Sequence, residues 1–492
     1  RTQRIEAIVL GDPAKPDLTA EWVEVDIAFT GVTPAVAAVR AGGVRLHGSY
    51  KGGVLNLGEL DKFSDPNSTA PFSLPDILMS LTDARLRLDT DAGLLGLRID
   101  GDGGLQSGFD GKVAAVMPRG TMAGCAMTDG SALLDIAMRQ GQPHLTGPIR
   151  AAAFACREAA TAIAQPVAVI DLTLGKAFER WTGHVDLSGE ALKSNGLVLA
   201  SPAGRIDFDG GKAGSQGRAR INAATLAGGG SLIEQAALNG VWTFKSDEAT
   251  MQGDLSGRNI RLASRESLAA FRESTAGTPV APLAARFADA MARAGDNNQL
   301  RTNFALVQRS AKGSLVLTNS RLAARSGAQA ALSPDGRVTL GWPGAGRTAL
   351  DWALDGAITT RGGGLPQAAL RLVRRPGGGF GGDLFVDPYA AGNARLALDR
   401  VRFTASSDGT TRFATSLRLD GPLPDGHLRG LTLPIEGQLA ANGALRINPR
   451  CVRLSVTEAR YGSFAIGQTR QTLCPLDGGA LFAMGPADGE TA

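Results

Sequence analysis

An alternation of apolar and charged residues with a period of two constrains this chain more than any other feature. The clearest stretch, residues 84–104, is ARLRLDTDAGLLGLRIDGDGG. Because successive side chains on a strand point to opposite faces, this stretch predicts a hairpin that turns at residues 91–93. Its apolar face carries Leu86, Leu88, Leu97 and Ile99, and its charged face carries Arg85, Arg87, Arg98 and Asp100. The pattern recurs along nearly the whole chain, so something must cover a long apolar face.

The composition favours many short strands over a compact α/β core. The chain has 492 residues, of which 43% are hydrophobic but only 5% are aromatic. It contains 65 Gly and 24 Pro, and this Gly content is about twice the usual share. Turns are therefore abundant and bulky core residues are scarce.

Turn signals separate the alternating runs at intervals of about ten residues, which is the rhythm of an antiparallel meander. There is no strict repeat, which argues against a regular β-helix of identical coils. The sequence predicts a mainly β protein built as a long, twisted antiparallel meander. The predicted turns are Asp209-Gly210-Gly211, Asn239-Gly240, Asp335-Gly336, Asp408-Gly409 and Asn442-Gly443.

One segment breaks this rhythm and predicts a helix with Thr278 as its N-cap, Pro279 at its first position and Gly295 at its end. A shorter helix is expected before it, from about Arg265 to Glu273. The chain then divides into a β segment over 1–257, a helical insertion over 258–300 and a second β segment over 301–492. The main interpretation is a helix packed over a sheet end, and the alternative is a membrane-facing or gating helix. The apolar positions of the longer helix are Val280, Leu283, Ala284, Phe287 and Met291.

Four cysteines form two local pairs, and neither pair has the spacing of a zinc site. We predict the disulfides Cys125–Cys156 and Cys451–Cys474, which indicate an oxidising compartment. Free buried thiols are the alternative. No signal peptide or membrane-spanning helix is visible, and the chain begins at Arg1, so we expect it to be part of a longer polypeptide that holds any membrane anchor.

The chain shows no motif for catalysis, a cofactor or a metal, so we predict that it is not an enzyme. Its four histidines stand alone, and residues 344–349 resemble a dinucleotide fingerprint without the required strand and helix. Asp100-Gly101-Asp102-Gly103 has a calcium-like spacing but lacks the remaining ligands, and a turn is expected there. The net charge is only +4 and the charges are interspersed, which argues against a nucleic-acid partner.

Three arrangements can cover the apolar face: a second sheet, closure into a barrel, or a non-protein ligand. The wall is rich in Leu, Val, Ile and Ala, and such a wall suits acyl chains because they form no hydrogen bonds. Burial is worth about 0.8 kcal/mol per methylene, so a groove of this kind can hold a lipid tail. Composition alone leaves the three arrangements open.

Two stretches and a shorter motif resemble the YdbH-like family. They are residues 71–113, residues 428–475 with Leu-Pro-Ile-Glu-Gly at 433–437, Asn-Pro-Arg-Cys at 448–451 and Cys474-Pro475, and His-Leu-Thr-Gly-Pro-Ile at 144–149. This family belongs with the AsmA-like proteins, which include TamB and YhdP. The resemblance implies a taco-shaped sheet, anchored in the inner membrane, that carries phospholipid across the periplasm to the outer membrane. It implies phospholipid acyl chains and both membranes as partners, with an outer-membrane or periplasmic protein as a further one.

Two other functions stay open at this point: a surface or secreted β-solenoid that acts as an adhesin or binds carbohydrate, and a periplasmic scaffold for outer-membrane protein assembly. If the lipid conduit is correct, alternate strand residues line its groove. The predicted lining is Leu86, Leu88, Leu97, Ile99, Val185, Leu187, Leu315, Leu317, Leu396, Leu398, Phe403, Leu417, Leu419, Val452, Leu454 and Val456.

Overall fold

The computed structural model describes residues 2–30, 33–63, 75–122, 124–157, 160–194, 196–228, 231–261, 265–310, 312–342, 351–374, 379–476 and 479–485. The chain forms two compact units. The first comprises Arg1–Gly230 and Gln235–Met251, and the second comprises Ser231–Glu234 and Gln252–Ala492. Most described residues lie in strands, so the predicted mainly β fold is confirmed. The division at residues 258 and 300 stays a prediction.

The first unit begins with β1 and contains one short 3₁₀ helix at Gly58–Phe63. Its strands are β1 Thr2–Asp12, β2 Lys15–Thr30, β3 Thr33–Gly42, β4 Arg45–Lys51, β5 Val54–Asn56, β6 Leu78–Thr90, β7 Gly93–Gly104, β8 Asp110–Met122, β9 Cys125–Arg139, β10 Gln142–Arg150, β11 Ala153–Cys156, β12 Thr161–Ala164, β13 Val167–Leu174, β14 Arg180–Ser188, β15 Ala191–Ser194, β16 Leu197–Ala200, β17 Ala203–Gly211 and β18 Gly214–Gly228.

Two strands, β19 Ser231–Lys245 and β20 Glu248–Arg261, contribute residues to both units. The second unit continues with α1 Arg265–Ser274, α2 Ala281–Gly295, β21 Asn298–Arg309, β22 Lys312–Ala324, β23 Gln329–Leu332, β24 Arg337–Trp342, β25 Asp351–Asp355, β26 Ile358–Arg361, β27 Ala368–Arg374, β28 Phe380–Val386, β29 Tyr389–Ala391, β30 Ala394–Leu398, β31 Val401–Ala405, β32 Thr411–Leu423, β33 Gly426–Leu439, β34 Leu445–Ile447, β35 Val452–Val456, β36 Glu458–Tyr461, β37 Phe464–Ile466, β38 Thr469–Leu473 and β39 Phe482–Met484.

Neighbouring strands pair mostly antiparallel, as the meander prediction requires, but β6 departs from it. This strand runs parallel to β3 and β4, with Ala38 opposite Leu78 and Leu46 opposite Leu86. Parallel neighbours need a crossover connection rather than a tight turn. The described elements between β4 and β6 are β5 and the 3₁₀ helix.

Four consecutive strands of the first unit are interrupted at the same level of the sheet. The interruptions fall between β10 and β11, β12 and β13, β14 and β15, and β16 and β17, while pairing continues on both sides of each break. Gln165 and Ser201, at two of these breaks, have a φ of +47°. A left-handed residue resets the alternation of a strand. The apolar set accordingly changes from even to odd numbers, or the reverse, across the breaks.

The buried core is thin. The buried hydrophobic residues are mostly alanines, and the largest fully buried side chain is that of Asn448. The accessible surface is 29805 Å². Two separate compact units of half this mass would expose only roughly 21,000 Å² in total. The chain thus exposes more surface than compact units of this size, and few of its large apolar side chains are fully buried.

Aromatic side chains lie flat across glycines on the neighbouring strand. A Cβ placed on Gly437 would lie 2.1 Å from Cζ of Phe413, its direct partner on β32. Such pairs shield strand glycines, which otherwise weaken a sheet. They account for part of the high Gly content. The other pairs are Trp22 with Gly42, Trp181 with Gly210, Trp342 with Gly313 and Phe403 with Gly382.

Both predicted disulfides are present. Cys125 and Cys156 are directly opposite on β9 and β11, with Cα atoms 3.9 Å apart. Cys451 and Cys474, also 3.9 Å apart at Cα, flank the paired residues Val452 of β35 and Leu473 of β38. Each bridge ties neighbouring strands together.

Both predicted helices are confirmed, but the predicted start of the longer one is wrong, because α2 begins at Ala281 and the proline in its first turn is Pro282, not Pro279. The N-cap of α2 is Val280, whose carbonyl accepts the Ala284 N–H at 2.9 Å. Thr278 is engaged elsewhere, because its hydroxyl donates to the Thr275 carbonyl at 2.6 Å and so closes the turn before the helix. The predicted end at Gly295 is correct.

Three predicted turns are correct, at residues 335–336, 408–409 and 442–443. Asn239-Gly240 instead lies inside β19, because the chain turns later at Ser246-Asp247, where Ser246 has a φ of +52°. The 209–211 segment completes β17, and the turn follows it. The calcium-like 100–103 segment lies in β7 rather than in a turn. There, a Cβ on Gly101 would lie 2.7 Å from the Phe109 ring.

We expect Gly437→Ala to lower the free energy of unfolding by about 1–3 kcal/mol, because the new methyl group would overlap the Phe413 ring. Gly467→Ala is the matched control, since no atom lies within 4 Å of a Cβ at that position. Denaturant unfolding of the two variants measures the difference. Equal stability would show that the aromatic ring moves aside without cost.

Candidate functional site

An unbroken line of apolar residues crosses the first unit at right angles to its strands. Leu46 on β4 is opposite Leu86 on β6, which is opposite Leu97 on β7. Directly opposed residues have Cβ atoms about 4.5–5.5 Å apart and share one face of the sheet. The line continues through Ala115, Ala132, Ile149, Ala168 and Leu187 on β8, β9, β10, β13 and β14.

A second apolar line runs two residues further along the same strands. Ile99 on β7 is opposite Val113 on β8, and Val113 is opposite Leu134 on β9. Further along, the line comprises Ile170, Val185 and Ile206 on β13, β14 and β17. All of these side chains are half-buried. The two lines together form an aliphatic surface that we call the apolar face of the first unit.

Past the interruptions, a third line of opposed residues extends this surface. Ile163 on β12 is opposite both Phe154 on β11 and Leu192 on β15, and Leu192 is opposite Leu199 on β16. Alternation with a strict period of two does not identify these residues, because at each break the residues on the apolar face change from even to odd numbers or from odd to even.

The other face of the sheet is charged and forms ion pairs across the strands. Lys112 on β8 is opposite Asp100 and Asp135 and binds the Asp135 carboxylate. Arg205 on β17 holds Asp186 on β14, with Nη2 and Oδ2 2.6 Å apart. These pairs are solvent-exposed, so each adds little to stability, but together they make this the face that contacts water.

Asp100 accepts two hydrogen bonds on this charged face. It accepts the Asp83 backbone N–H at 2.7 Å and the Arg98 Nε–H at 2.9 Å. The backbone hydrogen bond, with the Arg98 contact second, lowers the pKa of Asp100 below its ordinary value. Asp83 in turn binds Arg45, and that hydrogen bond lowers the pKa of Asp83. The cluster fixes the bulge in β6 at residues 82–83.

The predicted lining residues of the first unit come together on the apolar face. Leu86, Leu97, Ile99 and Val185 are half-buried, and Leu187 is more open. Leu88 is also half-buried, near Leu57 of the crossover, because the Leu57 and Leu88 methyl groups both lie within 3.3 Å of a Cβ placed on Gly48.

In the second unit, Leu315 and Leu317 occupy two similar lines. Leu315 on β22 is opposite Leu306 on β21 and Leu340 on β24, and Leu317 is opposite Phe304 and Val338. The remaining predicted residues lie further along this unit. Leu398, Phe403, Val452 and Leu454 are half-buried there, and Val456 is buried.

Three predicted lining residues contact protein instead of an open groove. Leu419 is only 6% exposed and belongs to a cluster with Leu283 of α2 and Tyr389 of β29. Leu396 and Leu417 pack against the same cluster. In this structure these three residues are covered by other parts of the chain, and their contact with lipid stays a prediction.

Several apolar residues of this surface escaped the sequence prediction, among them Val113, Leu134, Ile170 and Ile206. Their alternation is as clear as that of the residues selected, and the missing information was the strand order.

An apolar hollow in the same unit brings together Leu172, Leu174, Trp181, Ile206, Phe208, Ser215 and Trp242 from β13, β14, β17, β18 and β19.

The described residues offer little for chemistry other than apolar binding. Among them there is no group of three or more His, Cys, Asp or Glu side chains placed to hold a metal ion. The fingerprint-like segment at 344–349 lies outside the described residues. No helix in the described part of the chain is long and apolar enough to cross a membrane. The aliphatic faces can bind hydrocarbon without any placed polar group.

Comparison with known proteins gives one match. A model of the YdbH-like family, described as "Intermembrane phospholipid transport protein YdbH", matches residues 1–478. No curated protein matches the chain, and no solved structure matches it. The family is one of phospholipid transport between membranes and not a class of enzymes.

We expect the unfolding free energy to fall as the pH drops below about 4, because carboxylates with lowered pKa values stabilise the fold only while they are ionised. Asp100 contributes in this sense, since its folded pKa lies below its unfolded pKa. Asp100→Asn should therefore destabilise the protein at neutral pH, and its difference from wild type should shrink in acid. Denaturant titrations at several pH values test this. A difference that does not change with pH would contradict it.

Proposed function

Because the chain belongs to the YdbH-like family, we propose that it carries phospholipid along a hydrophobic groove formed by its apolar sheet faces. One observation carries the proposal: one aliphatic line of the first unit is continuous from β4 to β14, a second line lies beside it, and the buried core is too thin to account for them. A sheet with one uncovered apolar face needs an apolar occupant.

Acyl chains fit this surface for a physical reason. Leu, Ile, Val and Ala side chains form no hydrogen bonds, so the binding energy of a methylene group depends little on where it lies along the track. A tail with a dozen buried methylenes gains about 10 kcal/mol. Because neighbouring lines are alike, this gain changes little along the track, and a tail can slide from one line to the next. Net transport then needs an energy source or a concentration difference from elsewhere.

The proposed setting is the periplasm, between the inner and outer membranes. The two disulfides support an oxidising compartment. In this proposal the membranes and a membrane-proximal protein deliver and accept the lipid, and the anchor to the inner membrane lies outside the chain described.

The alternative functions have less support. A β-solenoid adhesin with a dry core would enclose large apolar side chains, whereas the buried residues are mostly alanine. A scaffold for outer-membrane proteins would use free strand edges, and no specific observation favours that use. The aliphatic face is the feature that the other two functions leave without a role.

The proposal predicts that lipid contacts one face of the sheet only. A photo-crosslinking residue at Leu97 on the apolar face should capture phospholipid in cells. The same residue at Leu133, which is 55% exposed on the opposite face, should not. Mass spectrometry of the organic extract from protein purified without detergent should identify the lipid. Equal capture at both positions, or no capture at Leu97, would refute a one-sided lipid track.

We expect Leu97→Asp to block transport without unfolding the protein. Leu97 is half-exposed, so its carboxylate can stay hydrated when lipid is absent, and the unfolding free energy should change by less than about 1 kcal/mol. A tail that passes must desolvate the charge, so lipid capture at a neighbouring position such as Leu86 should fall about tenfold or more. Leu133→Asp is the control and should leave capture unchanged. A large loss of stability in Leu97→Asp alone would identify this face as a protein core.

A further inference from the structure

The helical hairpin of α1 and α2 is inserted in the sequence between the neighbouring strands β20 and β21. It leaves β20 at Arg261 and returns to β21 at Asn298. An insertion at a single turn can move about its base without breaking the strands that flank it. We propose that this hairpin is a lid, which competes with lipid tails for the apolar face of the second unit. The inference rests on the proposed lipid track.

The hairpin lies on the surface that the alternation pattern assigns to lipid. Leu283 of α2 forms a cluster with Tyr389, Ala391, Ala394 and Leu419 on the sheet. Val280 and Phe287 of the hairpin and Leu396, Leu417, Leu428 and Leu431 of the sheet pack around it. A lipid tail and α2 would bury the same side chains. The two occupants therefore exclude each other.

The hairpin approaches the sheet most closely at one glycine, Gly421. A Cβ on Gly421 of β32 would lie 2.2 Å from the Pro279 carbonyl oxygen, so a larger residue there would push the hairpin away. At the other end of α2, a Cβ on Gly364 would lie 3.4 Å from the Ala290 methyl. The first contact leaves no room for a side chain at Gly421, whereas the second is an ordinary van der Waals contact in the turn after β26.

The base of the lid is tied to the sheet by hydrogen bonds, whereas the contacts near its tip are mostly apolar. Asn298 is 2% exposed, accepts the Ile260 N–H at 2.7 Å and donates to the Ile260 and Ala294 carbonyls at 2.9 Å each. This one side chain joins the end of α2 to β20. At the other end, Val280 and Leu283 hold α2 on the sheet through apolar contacts. A hinge at Asn298 follows from this contrast.

The contact of α2 with the sheet is mostly apolar, which makes exchange with lipid feasible. Its buried residues are Leu283, Ala284, Ala288 and Ala290. Beside them, Arg286 donates to the Ala390 carbonyl and lies over the Tyr389 ring. Hydrocarbon from a tail can replace hydrocarbon from the helix at little net cost. A tail that binds the open sheet then shifts the population toward the open lid.

The first test compares photo-crosslinking to phospholipid at Leu417, under the lid, with that at Leu97, far from it in sequence and in the other unit. In the wild type we expect Leu417 to capture less than about a tenth as much lipid as Leu97. Leu283→Asp should release the lid, because a carboxylate cannot remain in the cluster. Capture at Leu417 should then rise several-fold, while capture at Leu97 stays the same. Asp289→Asn is the control, because Asp289 is exposed and, in the described part of the chain, pairs only with Arg272 of α1 within the hairpin, and it should change neither.

The outcomes separate the lid from the lipid track. If Leu97 captures lipid and Leu417 captures as much in the wild type, the lid is wrong. It is also wrong if Leu283→Asp folds and Leu417 stays unlabelled. If neither position captures lipid in any variant, the transport proposal itself fails.

A second measurement uses the unaltered protein and does not depend on whether Leu283→Asp folds. Vesicles of phosphatidylethanolamine and phosphatidylglycerol are added, and amide hydrogen exchange is followed. We expect the amides of 281–295 to exchange several-fold faster with vesicles present, and those of β6 and β7 to exchange no faster. Unchanged exchange in α2, with lipid captured at Leu97, would overturn the lid.

Discussion

The structure depends on a sheet that has one apolar face and too little protein to cover it. Charged residues on the opposite face and the ion pairs among them fix which side meets water. The aliphatic lines must then face something other than water, and few large side chains are available to fill a core. The sparse aromatics are used differently, since rings such as that of Phe413 lie flat over glycines and leave the surface shallow. Because few large side chains fill the space over the apolar face, a ligand can occupy it.

Local pattern predicted much of the fold because the determining interactions are local. The hairpin from Ala84 to Gly104 follows from alternation alone, and both disulfides join cysteines that are near in sequence. The crossover that makes β6 parallel to β4 could not be predicted, since it depends on pairing with a strand that precedes it by a long connection. The turn at Asn239-Gly240 failed for a similar reason: an Asn-Gly pair permits a turn, but strand pairing decides where the chain reverses.

The candidate surface was predictable in character but not in extent. Leu86, Leu97 and Ile99 were identified because each alternates with charged neighbours. Ile163 and Leu192 were not, because the aligned interruptions reset the alternation, and the residues that do so at Gln165 and Ser201 are not glycines. Alternation also cannot show which inward positions another part of the chain covers. Leu396, Leu417 and Leu419 have the same pattern as the open positions and nevertheless contact the cluster of α2.

That contact links the two proposals through one property of the surface. A wall without hydrogen-bonding groups accepts any hydrocarbon of suitable width, whether it is a lipid tail or the apolar side of a helix. The lack of specificity that lets a tail slide also lets α2 bind. A tail can therefore displace α2 only if it binds the surface more favourably than α2 does. A more polar wall would distinguish the two, but it would hold a passing tail at fixed points. When no lipid is bound, an apolar element of the same chain can therefore cover such a surface. The hairpin between β20 and β21 is placed beside the sheet and has an apolar side that can do so.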